Sequence, residues 1–370
     1  MKMAKLKFLI NTFTHWDEPP RARHQVANAL AKNHLVIFVA ANKVGFPRIK
    51  TFQVQENLKV VQPYLFVSNK IRYRLPVLNE IYQNWLYKRI AREYGEYRVI
   101  NFDFTATRIY HFFKDVIFYY NDNFASISKR LNPNIIARYH RKKEAKVAAR
   151  AKFCVSTTQV LMEKLLAFNP ASYTIPLGGP NITDYGIQVK NSSDNEGLIR
   201  VGLMGFISTF SLSTDILNIV LNQKNMELVF IGPVEDKLMG LLENRERLLL
   251  KGTLTGIELF QEINKFDVAL APYCEAFTND KSIGVGTGSK TYQYMALGKP
   301  IVISNMAGLQ AISQFDKFIY VAENEEEFPE LINRAYRENT DKAISERVAF
   351  AMENTWEKRM EKLIEIYNNI

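Results

Sequence analysis

The sequence predicts an α/β protein of two halves, each built around a parallel β-sheet. Short apolar runs alternate with helical patterns along most of the chain, which is the order expected when each strand is followed by a crossover helix. The stretch Pro176–Gly197, rich in glycine and polar residues, has linker composition. A chain of 370 residues is long enough for two ordinary domains, which we predict at 1–180 and 198–344, with a linker at 181–197.

The first half is predicted to open with a strand–helix–strand unit. Lys5–Asn11 and Leu35–Ala41 are apolar runs typical of buried parallel strands, and His24–Lys32 between them has an amphipathic helical pattern. The loop after the first strand lacks G-x-G-x-x-G, which disfavours a dinucleotide-dependent dehydrogenase. Later elements are strands near Leu58–Gln62, Tyr97–Asn101, Val116–Asn121 and Phe153–Ser156, and a basic helix over Asn134–Lys152.

The second half repeats the same alternation. It is predicted to begin with a strand at Arg200–Met204 and a helix at Thr214–Leu221. The remaining elements are strands at Leu228–Ile231, Val268–Ala271 and Ile301–Ile303, then charged helices at Phe328–Ala335 and Ser345–Tyr367.

The segment from Asp267 to Ser304 has the pattern of a phosphate site. After a buried strand, Gly284, Gly286 and Gly288 would let the backbone approach a ligand closely, and a helix is predicted to open near Ser289 and Lys290. The free N–H groups of a first helical turn attract an anion, and Lys290 adds a full positive charge. A plain surface turn is the alternative for any single glycine loop.

Charge divides the chain unevenly. Residues 1–190 contain 30 Lys and Arg against 12 Asp and Glu, whereas the remainder contains 18 against 26. The first half is therefore expected to face an anion, either an anionic membrane surface, a lipid-linked pyrophosphate or nucleic acid. Nucleic acid is disfavoured, because no recognition motif is present and the acidic half would repel it.

Several classes of protein are disfavoured by composition. No apolar run approaches the length of a membrane-spanning helix and the first residues do not resemble a signal peptide, so a cytoplasmic location is expected. Cys154 and Cys274 fall in different halves without metal-ligand spacing, so neither a disulfide nor a zinc site is expected.

The same segment resembles the donor-binding core of GT-B glycosyltransferases. The likeness rests on D-V-A-L-A-P-Y (Asp267–Tyr273) followed by S-K-x-Y-x-Y-M-A-x-G-K-P-I-V from Ser289. Other motifs occur in the order seen in a bacterial branch that builds exopolysaccharide and wall polymers and includes the xanthan-pathway glucuronosyltransferase. They are R-x-R-H at Arg21–His24, Y-Y-N-D-N at Tyr119–Asn123, G-x-x-S at Gly205–Ser208 and W-x-x-R at Trp356–Arg359.

The resemblance implies two Rossmann-like domains, with residues 345–370 packing back on the first. It implies transfer of a sugar from a nucleoside diphosphate to a saccharide acceptor, and places the donor in the second domain. Lys290, Ser289 and the Gly288 backbone are the candidates for the diphosphate, with Gly205 and Phe206 beside them. By resemblance Tyr273 would contact ribose or base, and Thr253 and Leu254 occupy the loop that usually holds the base; for Tyr273, packing beneath the loop is the alternative.

The candidate base lies in the first half. Asp122 is the first choice because it follows a predicted strand, at the sheet edge where ligands bind, and a carboxylate can accept a hydroxyl proton. Asp17 is the second choice and His15 the third. The alternative for Asp122 is that it caps the following helix, since N-D-N is good capping sequence.

The chain departs from the family pattern at one place. Retaining members usually carry two glutamates eight residues apart, and the corresponding residues here are Val285 and Gln293. A glutamine can hydrogen-bond ribose or a sugar hydroxyl but cannot act as a carboxylate. The substitution favours an inverting mechanism with Asp122 as base, without settling the stereochemistry.

No metal and no cofactor are predicted, the UDP- or GDP-sugar being a substrate. Charge neutralisation by Lys290 and a helix dipole can replace a metal, and the paired aspartates of the other major glycosyltransferase fold are absent; the nearest match, Asn101-Phe102-Asp103, lacks the first carboxylate.

A basic aromatic segment, Lys70–Tyr94, suggests contact with an anionic bilayer at the cytoplasmic membrane face. Arg72, Arg74 and Trp85 would then meet the membrane or a lipid-linked acceptor, and the loop with Trp16, Arg21 and Arg23 would present side chains to the acceptor. The alternative is that the apolar side of Lys70–Tyr94 packs on the sheet.

Two other functions stay open at this point. One is a nucleotide-sugar epimerase on the same fold, which would form product without an acceptor. The other is a non-catalytic nucleotide-sugar and membrane-binding subunit, which the missing glutamate pair favours.

Overall fold

A computed structural model describes residues 5–189, 197–278, 288–306 and 318–370. The chain divides into two compact units, one of residues 1–176 and 359–370 and the other of residues 177–358. The sequence-predicted boundary at 180 thus lies four residues beyond the observed division, and the chain re-enters the first unit at Arg359, well after residue 345.

The first unit contains one extended sheet. Its strand order is β3-β5-β2-β1-β6-β7-β8-β9, and every pairing along this path is parallel, whereas β4 pairs with β5 in the antiparallel sense. The strands are β1 (Lys7–Asn11), β2 (Leu35–Val39), β3 (Lys43–Val44), β4 (Arg48–Gln55), β5 (Leu58–Leu65), β6 (Arg98–Asn101), β7 (Val116–Tyr120), β8 (Phe153–Ser156) and β9 (Ser172–Thr174).

Helices cover this sheet and close the unit. The long helix α3 packs Leu86, Tyr87 and Ile90 against Leu9 and Ile37 of the central strands, so the side of the helix that carries these three residues is buried. The helices are α1 (Ala22–Ala31), α2 (Asn69–Arg74), α3 (Pro76–Tyr94), α4 (Phe124–Leu131), α5 (Asn134–Arg150) and α6 (Gln159–Leu166).

The second unit contains a fully parallel sheet. Its order is β12-β11-β10-β13-β14-β15, and successive residues of one strand alternate between faces: Leu228 and Phe230 pack on one side, and Val229 and Ile231 on the other. The strands are β10 (Ile199–Met204), β11 (Met226–Ile231), β12 (Leu248–Leu250), β13 (Val268–Ala271), β14 (Ile301–Ser304) and β15 (Ile319–Ala322).

Both faces of the second sheet carry helices, as expected of strands that are apolar throughout. The helices α7 and α12 supply Leu217 and Ile332 to one core, and α9 and α11 supply Ile263 and Met295 to the other. The helices are α7 (Thr214–Leu221), α8 (Asp236–Leu241), α9 (Gly256–Ile263), α10 (Glu275–Thr278), α11 (Gly288–Ala296), α12 (Phe328–Arg337), α13 (Asp341–Met352) and α14 (Trp356–Asn369).

The two chain segments that connect the units run side by side within the second unit. The Gly179 N–H donates to Asn354 O at 2.9 Å and the Trp356 N–H donates to Gly179 O at 3.0 Å. A Cβ on Gly178 would lie 2.7 Å from the Trp356 nitrogen, so only glycine permits this approach. This pairing interrupts the helical run predicted for Ser345–Tyr367, which forms α13 and α14 with a break at residues 353–355.

The last helix ends in the first unit. The Tyr367 hydroxyl of α14 donates to Asp115 Oδ2 at 2.6 Å, and its ring contacts Phe153 of β8 and the side chains of Arg98 and Lys152. Among the described residues, none of the helices is both long and apolar enough to cross a bilayer.

Candidate functional site

The second unit has a crevice at the point where its strand order reverses. The strands β10 and β13 are neighbours, but the chain leaves them towards opposite edges of the sheet, and ligands of open parallel sheets bind outside the carboxyl ends of such strands. Loops after both strands and the first turn of α11 line the crevice. Its walls include Met204, Phe206, Pro272, Tyr273, Lys290 and Tyr294.

Three glycines bring the loops of this edge into contact. A Cβ on Gly232, after β11, would lie 2.1 Å from Gly205 O, and the Gly232 N–H donates to Gly252 O, after β12, at 2.7 Å. Gly205 and Gly232 have φ values of +116° and +131°, which side chains rarely adopt. Both positions therefore require glycine, and the backbones of the two loops can come into direct contact.

Lys290 lies directly over this glycine contact. A Cβ on Gly205 would be 2.5 Å from the Lys290 ammonium nitrogen and 2.7 Å from its Cε. Burial lowers the pKa of Lys290, and among the residues that the structure describes no carboxylate pairs with it. A partly desolvated cation beside exposed backbone at a helix start is an arrangement that an anionic ligand stabilises.

The loop after β13 holds Tyr273 in the crevice wall. Its carbonyl accepts a hydrogen bond from Ser304 Oγ at 2.9 Å, and the Cys274 N–H donates to Ser211 O at 3.0 Å. The Tyr273 ring stacks on Phe277 with centroids 5.0 Å apart, and burial raises its pKa. The Tyr273 side chain thus packs on Phe277 and also lines the crevice. Packing beneath the loop and contact with a ligand are therefore compatible for this residue.

The other predicted donor residues lie around the same edge. Thr253 is exposed just after Gly252, and Leu254 is half-buried against the core. Ser289 and Gln293 are half-buried on α11, Gln293 being one turn beyond Lys290, and Phe206 is 63% exposed. Gly288 is the first described residue of α11, whereas Gly284, Val285 and Gly286 lie outside the described residues.

In the first unit, Asp122 follows β7 and is an exposed residue whose carboxyl lies among side chains that partly desolvate it. Its Oδ2 accepts a hydrogen bond from Asn121 Nδ2 at 2.7 Å. Burial by the surrounding protein raises the pKa of this carboxyl, and the positive charges of Arg23 and Arg21 oppose the rise. An accessible carboxylate with a raised pKa has the properties of a general base.

The capping alternative for Asp122 does not hold. The N-cap position of α4 is held by Asn123, whose side chain accepts no capping hydrogen bond, and the N–H of Ala125 in the first turn donates to Glu144 Oε2 at 3.1 Å. Glu144 of α5 therefore provides the carboxylate at this helix start. No sequence signal identified Glu144, because it lies about twenty residues further along the chain in a helix that is basic elsewhere.

Arg23 is buried beside Asp122, contrary to the expectation of a side chain presented at the surface. It is 4% exposed, and its guanidinium lies 4.1 Å from the Phe13 ring centroid and donates to Thr14 Oγ1 at 2.9 Å. Burial lowers its pKa to about 10, against the opposing effect of Asp122. Arg23 thus contributes a fixed positive charge to the surroundings of Asp122.

The loop after β1 is less suited to catalysis than Asp122. Asp17 forms a 2.7 Å ion pair with Lys43, and this contact lowers the pKa of Asp17. Trp16 packs against His24 and Phe38 rather than pointing outward. A carboxylate that is already paired and more acidic than usual is a weaker proton acceptor.

Arg21 and His15 of the same loop both contact Glu18. The Arg21 Nε lies 3.0 Å from Glu18 Oε2 at the surface. The backbone N–H of His15 donates to Glu18 Oε1 at 2.6 Å, so the loop is held together by Glu18.

Arg72 was predicted at a membrane or acceptor surface, and the structure corrects this. It is 2% exposed and donates to Asn42, Asn69 and Asn79, with its guanidinium 4.2 Å from the Tyr82 ring centroid. The helical period placed the cation on the wrong side, because α2 and α3 are separate helices that meet at Leu75 and Pro76.

The other two residues of that prediction, Trp85 and Arg74, differ from Arg72 in their exposure. Trp85 is half-buried with the core side of α3. Arg74 is exposed and donates from Nε to Asn132 Oδ1 at 3.1 Å. Part of the apolar side of α3 packs on the sheet as the alternative predicted, whereas Val77 and Ile81 of the same helix are exposed.

The described residues contain no cluster of three or more His, Cys, Asp and Glu side chains arranged to hold a metal ion. Asp103, of the Asn101-Phe102-Asp103 sequence, is buried and accepts hydrogen bonds from Tyr73 and Thr105. Cys154 and Cys274 are free thiols.

Residues 201–338 match the family model described as glycosyl transferases group 1. This range begins in β10 and ends just after α12, and so contains the crevice, the glycine contact and Lys290. None of the curated protein sequences matches the chain.

Solved structures with the same fold cover nearly the whole chain. Anabaena HepE in complex with UDP has a TM-score of 0.65 at 12% identity, covering 99% of this chain and 100% of that one. WaaG, a glycosyltransferase involved in lipopolysaccharide biosynthesis, has 0.64 at 14%, covering 97% and 99%. A trehalose-6-phosphate synthase structure, from work on glycosyl transfer with retention, has 0.70 at 11%, covering 98% and 99%.

Proposed function

We propose that this chain, a glycosyltransferase with the GT-B fold, moves a sugar from a nucleoside diphosphate to a saccharide acceptor. The observation that carries the proposal is the Lys290 ammonium held over the Gly205 backbone at the switch point of the second sheet. The site offers a lysine charge, a helix start and close backbone, which together suit the two phosphates of the donor.

The chemistry we propose uses one base and one leaving-group site. The Asp122 carboxylate accepts the proton of the acceptor hydroxyl as its oxygen attacks the anomeric carbon. The bond from that carbon to the diphosphate breaks, and Lys290 with the first turn of α11 stabilises the departing negative charge. Because these groups supply positive charge, the proposed transfer is independent of a metal and of any cofactor.

We propose inversion at the anomeric carbon. A direct attack assisted by a base on the acceptor side inverts the configuration, and the half-buried Gln293 stands where retaining relatives usually have a carboxylate. The trehalose-6-phosphate synthase structure concerns transfer with retention, so the anomeric configuration of the product, read by proton NMR, is the direct test. A retained configuration would remove Asp122 from the role of base in a single displacement.

The donor proposed first is a UDP-sugar, with a GDP-sugar as the second choice. The complex of HepE with UDP supports this order, and the involvement of WaaG in lipopolysaccharide biosynthesis supports a role in bacterial surface polysaccharide synthesis. The acceptor we propose is a lipid-linked saccharide. We also propose that the chain belongs with the bacterial branch that includes the xanthan-pathway glucuronosyltransferase.

We also propose that the protein works at the cytoplasmic face of an anionic membrane. Exposed apolar side chains of the first unit support this: Phe46 and Phe66, whose rings are 5.6 Å apart, and Val77 and Ile81 of α3, which are 73% and 60% exposed. Exposed cations on the same unit include Lys70, Arg74, Lys88 and Arg89. Apolar side chains among cations suit an anionic bilayer surface.

The experiment that tests the proposed function is a panel of nucleotide sugars and free nucleotides scored by thermal shift, followed by calorimetry. We expect a UDP-sugar to raise the Tm and Lys290→Ala to abolish the rise. Asp122→Asn should bind the donor as the wild type does and lose turnover. Product formed without an acceptor would identify an epimerase, whereas binding without any turnover or release of nucleoside diphosphate would identify a non-catalytic subunit.

A further inference from the structure

The first unit has a second concave site, between α4, α5 and α6, that the proposed transfer does not yet use. Small and apolar side chains form its walls, among them Ala125, Ala137, Ala167 and Phe168. Four cations line it: Lys129 of α4, Arg138 and Arg141 of α5, and Lys164 of α6. Glu144 is the one carboxylate among these lining residues.

Most of the positive charge of this pocket is unpaired. Lys164 Nζ lies 2.5 Å from Glu144 Oε1, so those two charges offset each other. Among the described residues, Lys129, Arg138 and Arg141 are in no ion pair, and all three are exposed. Cations from two helices therefore converge on one hollow without a counter-charge, which favours an anion that can contact several of them.

Two of the lining residues, Glu144 and Lys164, are hydrogen-bonded to the chain next to the candidate base. Glu144 is 2% exposed and accepts hydrogen bonds from the Tyr120 hydroxyl at 2.8 Å and from the Ala125 N–H at 3.1 Å. Lys164 Nζ also donates to Asn123 Oδ1 at 2.8 Å. Asn123 directly follows Asp122, so one hydrogen-bond network fixes both the pocket floor and the chain next to the proposed base.

We propose that this pocket binds the phosphate or pyrophosphate group of the acceptor. Two arginines and a lysine provide forked and point-like donors that match phosphoryl oxygens, whereas the apolar walls suit the hydrocarbon or sugar carbon next to the phosphate. An acceptor held here by its phosphate would extend its saccharide along α4 towards Asp122. The identity of the ligand as acceptor rests on the proposed function, but the presence of a phosphate site does not.

The test uses the full chain with UDP at saturating concentration, so that the donor crevice is already filled. Inorganic pyrophosphate is titrated by calorimetry into the wild type, Arg141→Gln and Arg138→Gln. The matched control is Lys146→Gln, which removes an exposed cation from the same helix outside the pocket. We expect each arginine variant to weaken pyrophosphate binding about tenfold or more and the control to leave it unchanged.

A second arm distinguishes a lipid from a soluble source of the phosphate. Vesicles of phosphatidylcholine with and without phosphatidic acid are sedimented with the same variants. Loss of phosphatidic acid-dependent sedimentation in Arg141→Gln assigns the site to a lipid phosphate, and loss of pyrophosphate binding alone assigns it to a soluble one.

The inference is wrong if Arg141→Gln and Lys146→Gln behave alike with both probes. It fails separately from the proposed function, because UDP affinity reports on the donor crevice and is expected to be the same in all of these variants. A chain that binds pyrophosphate in this pocket but no nucleotide would keep the site and overturn the proposed transfer. In that case the pyrophosphate titration is made without UDP.

Discussion

Replacing Lys290 with methionine should change donor binding and the stability of the free protein in opposite directions. The ammonium is partly buried without a carboxylate partner among the described residues, and its pKa is lowered by burial, so its charge costs free energy in the folded, ligand-free chain. Methionine keeps the unbranched chain as far as Cε, lacks only the ammonium group, and removes that cost. We therefore expect Lys290→Met to raise the Tm of the free protein.

The loss of affinity can be bounded from the geometry. A unit charge about 4 Å from a phosphate, at an effective dielectric constant of about 20, contributes about 4 kcal/mol. Hydrogen bonds to charged groups contribute about 1.5–3 kcal/mol net. We expect Lys290→Met to lose about 2–4 kcal/mol of UDP binding, which raises Kd about 30-fold to 1000-fold.

The assay is calorimetric titration of UDP beside thermal unfolding of the free variants. Lys299→Met is the matched control, because Lys299 is also buried in the second unit, at 1% exposure, but its Nζ donates to Asn264 O at 2.7 Å. Burial lowers the pKa of Lys299 to about 8. If Lys290→Met binds UDP within threefold of the wild type, or Lys299→Met loses as much affinity, Lys290 does not hold the diphosphate.

Three further outcomes are expected. A base must be deprotonated and burial raises the pKa of Asp122, so kcat/KM should fall as the pH drops through that raised pKa. The Arg21→Gln variant removes a positive charge that opposes the rise and should move this acid limb of the pH profile to higher pH. An unmoved limb would mean that another group titrates. The Gly232→Ala variant should lower the free energy of unfolding in chemical denaturation by about 1–3 kcal/mol and weaken UDP binding, because its Cβ would lie 2.1 Å from a backbone oxygen. The control Gly240→Ala in α8, where a Cβ would have nothing within 4 Å, should neither destabilise the protein nor weaken UDP binding. Because Arg72 is buried, Arg72→Met should lower the free energy of unfolding by about 2–4 kcal/mol without changing sedimentation with anionic vesicles. Reduced sedimentation of a folded variant would show that Arg72 contacts the membrane after all.

The sequence was sufficient to predict the architecture. Hydrophobic periodicity and apolar runs predicted the parallel strands of both units, and the solved structures confirm the GT-B fold. Residues 201–338 match the family model of glycosyl transferases group 1, as the resemblance around Lys290 led us to expect. Of the predicted loop glycines, Gly288 begins α11 two residues before Lys290, whereas Gly284 and Gly286 lie outside the described residues. The helix start could be predicted because residue type and spacing encode it locally.

What the sequence missed depends on contacts between distant residues. Helical periodicity alone predicts that Arg72 lies with the other cations on an exposed side. Its burial depends on hydrogen bonds to Asn42, Asn69 and Asn79, of which Asn42 and Asn79 belong to other parts of the chain. Glu144 acts as the cap of α4 only because α5 packs beside it. The antiparallel strand β4 was missed because it is exposed along most of its length and has no apolar run.

The pairing of Gly179 with Asn354 and Trp356 makes the second unit an insertion within the first. The chain enters this unit at residue 177 and leaves it at residue 358, and the paired residues lie within a few positions of each end. We therefore expect that the unit can be excised, or rejoined in a new chain order, with short connections. If the second unit binds the donor, as we propose, the same chain order would let this unit be exchanged for another one. Sugar specificity would then be a transplantable property of residues 177–358.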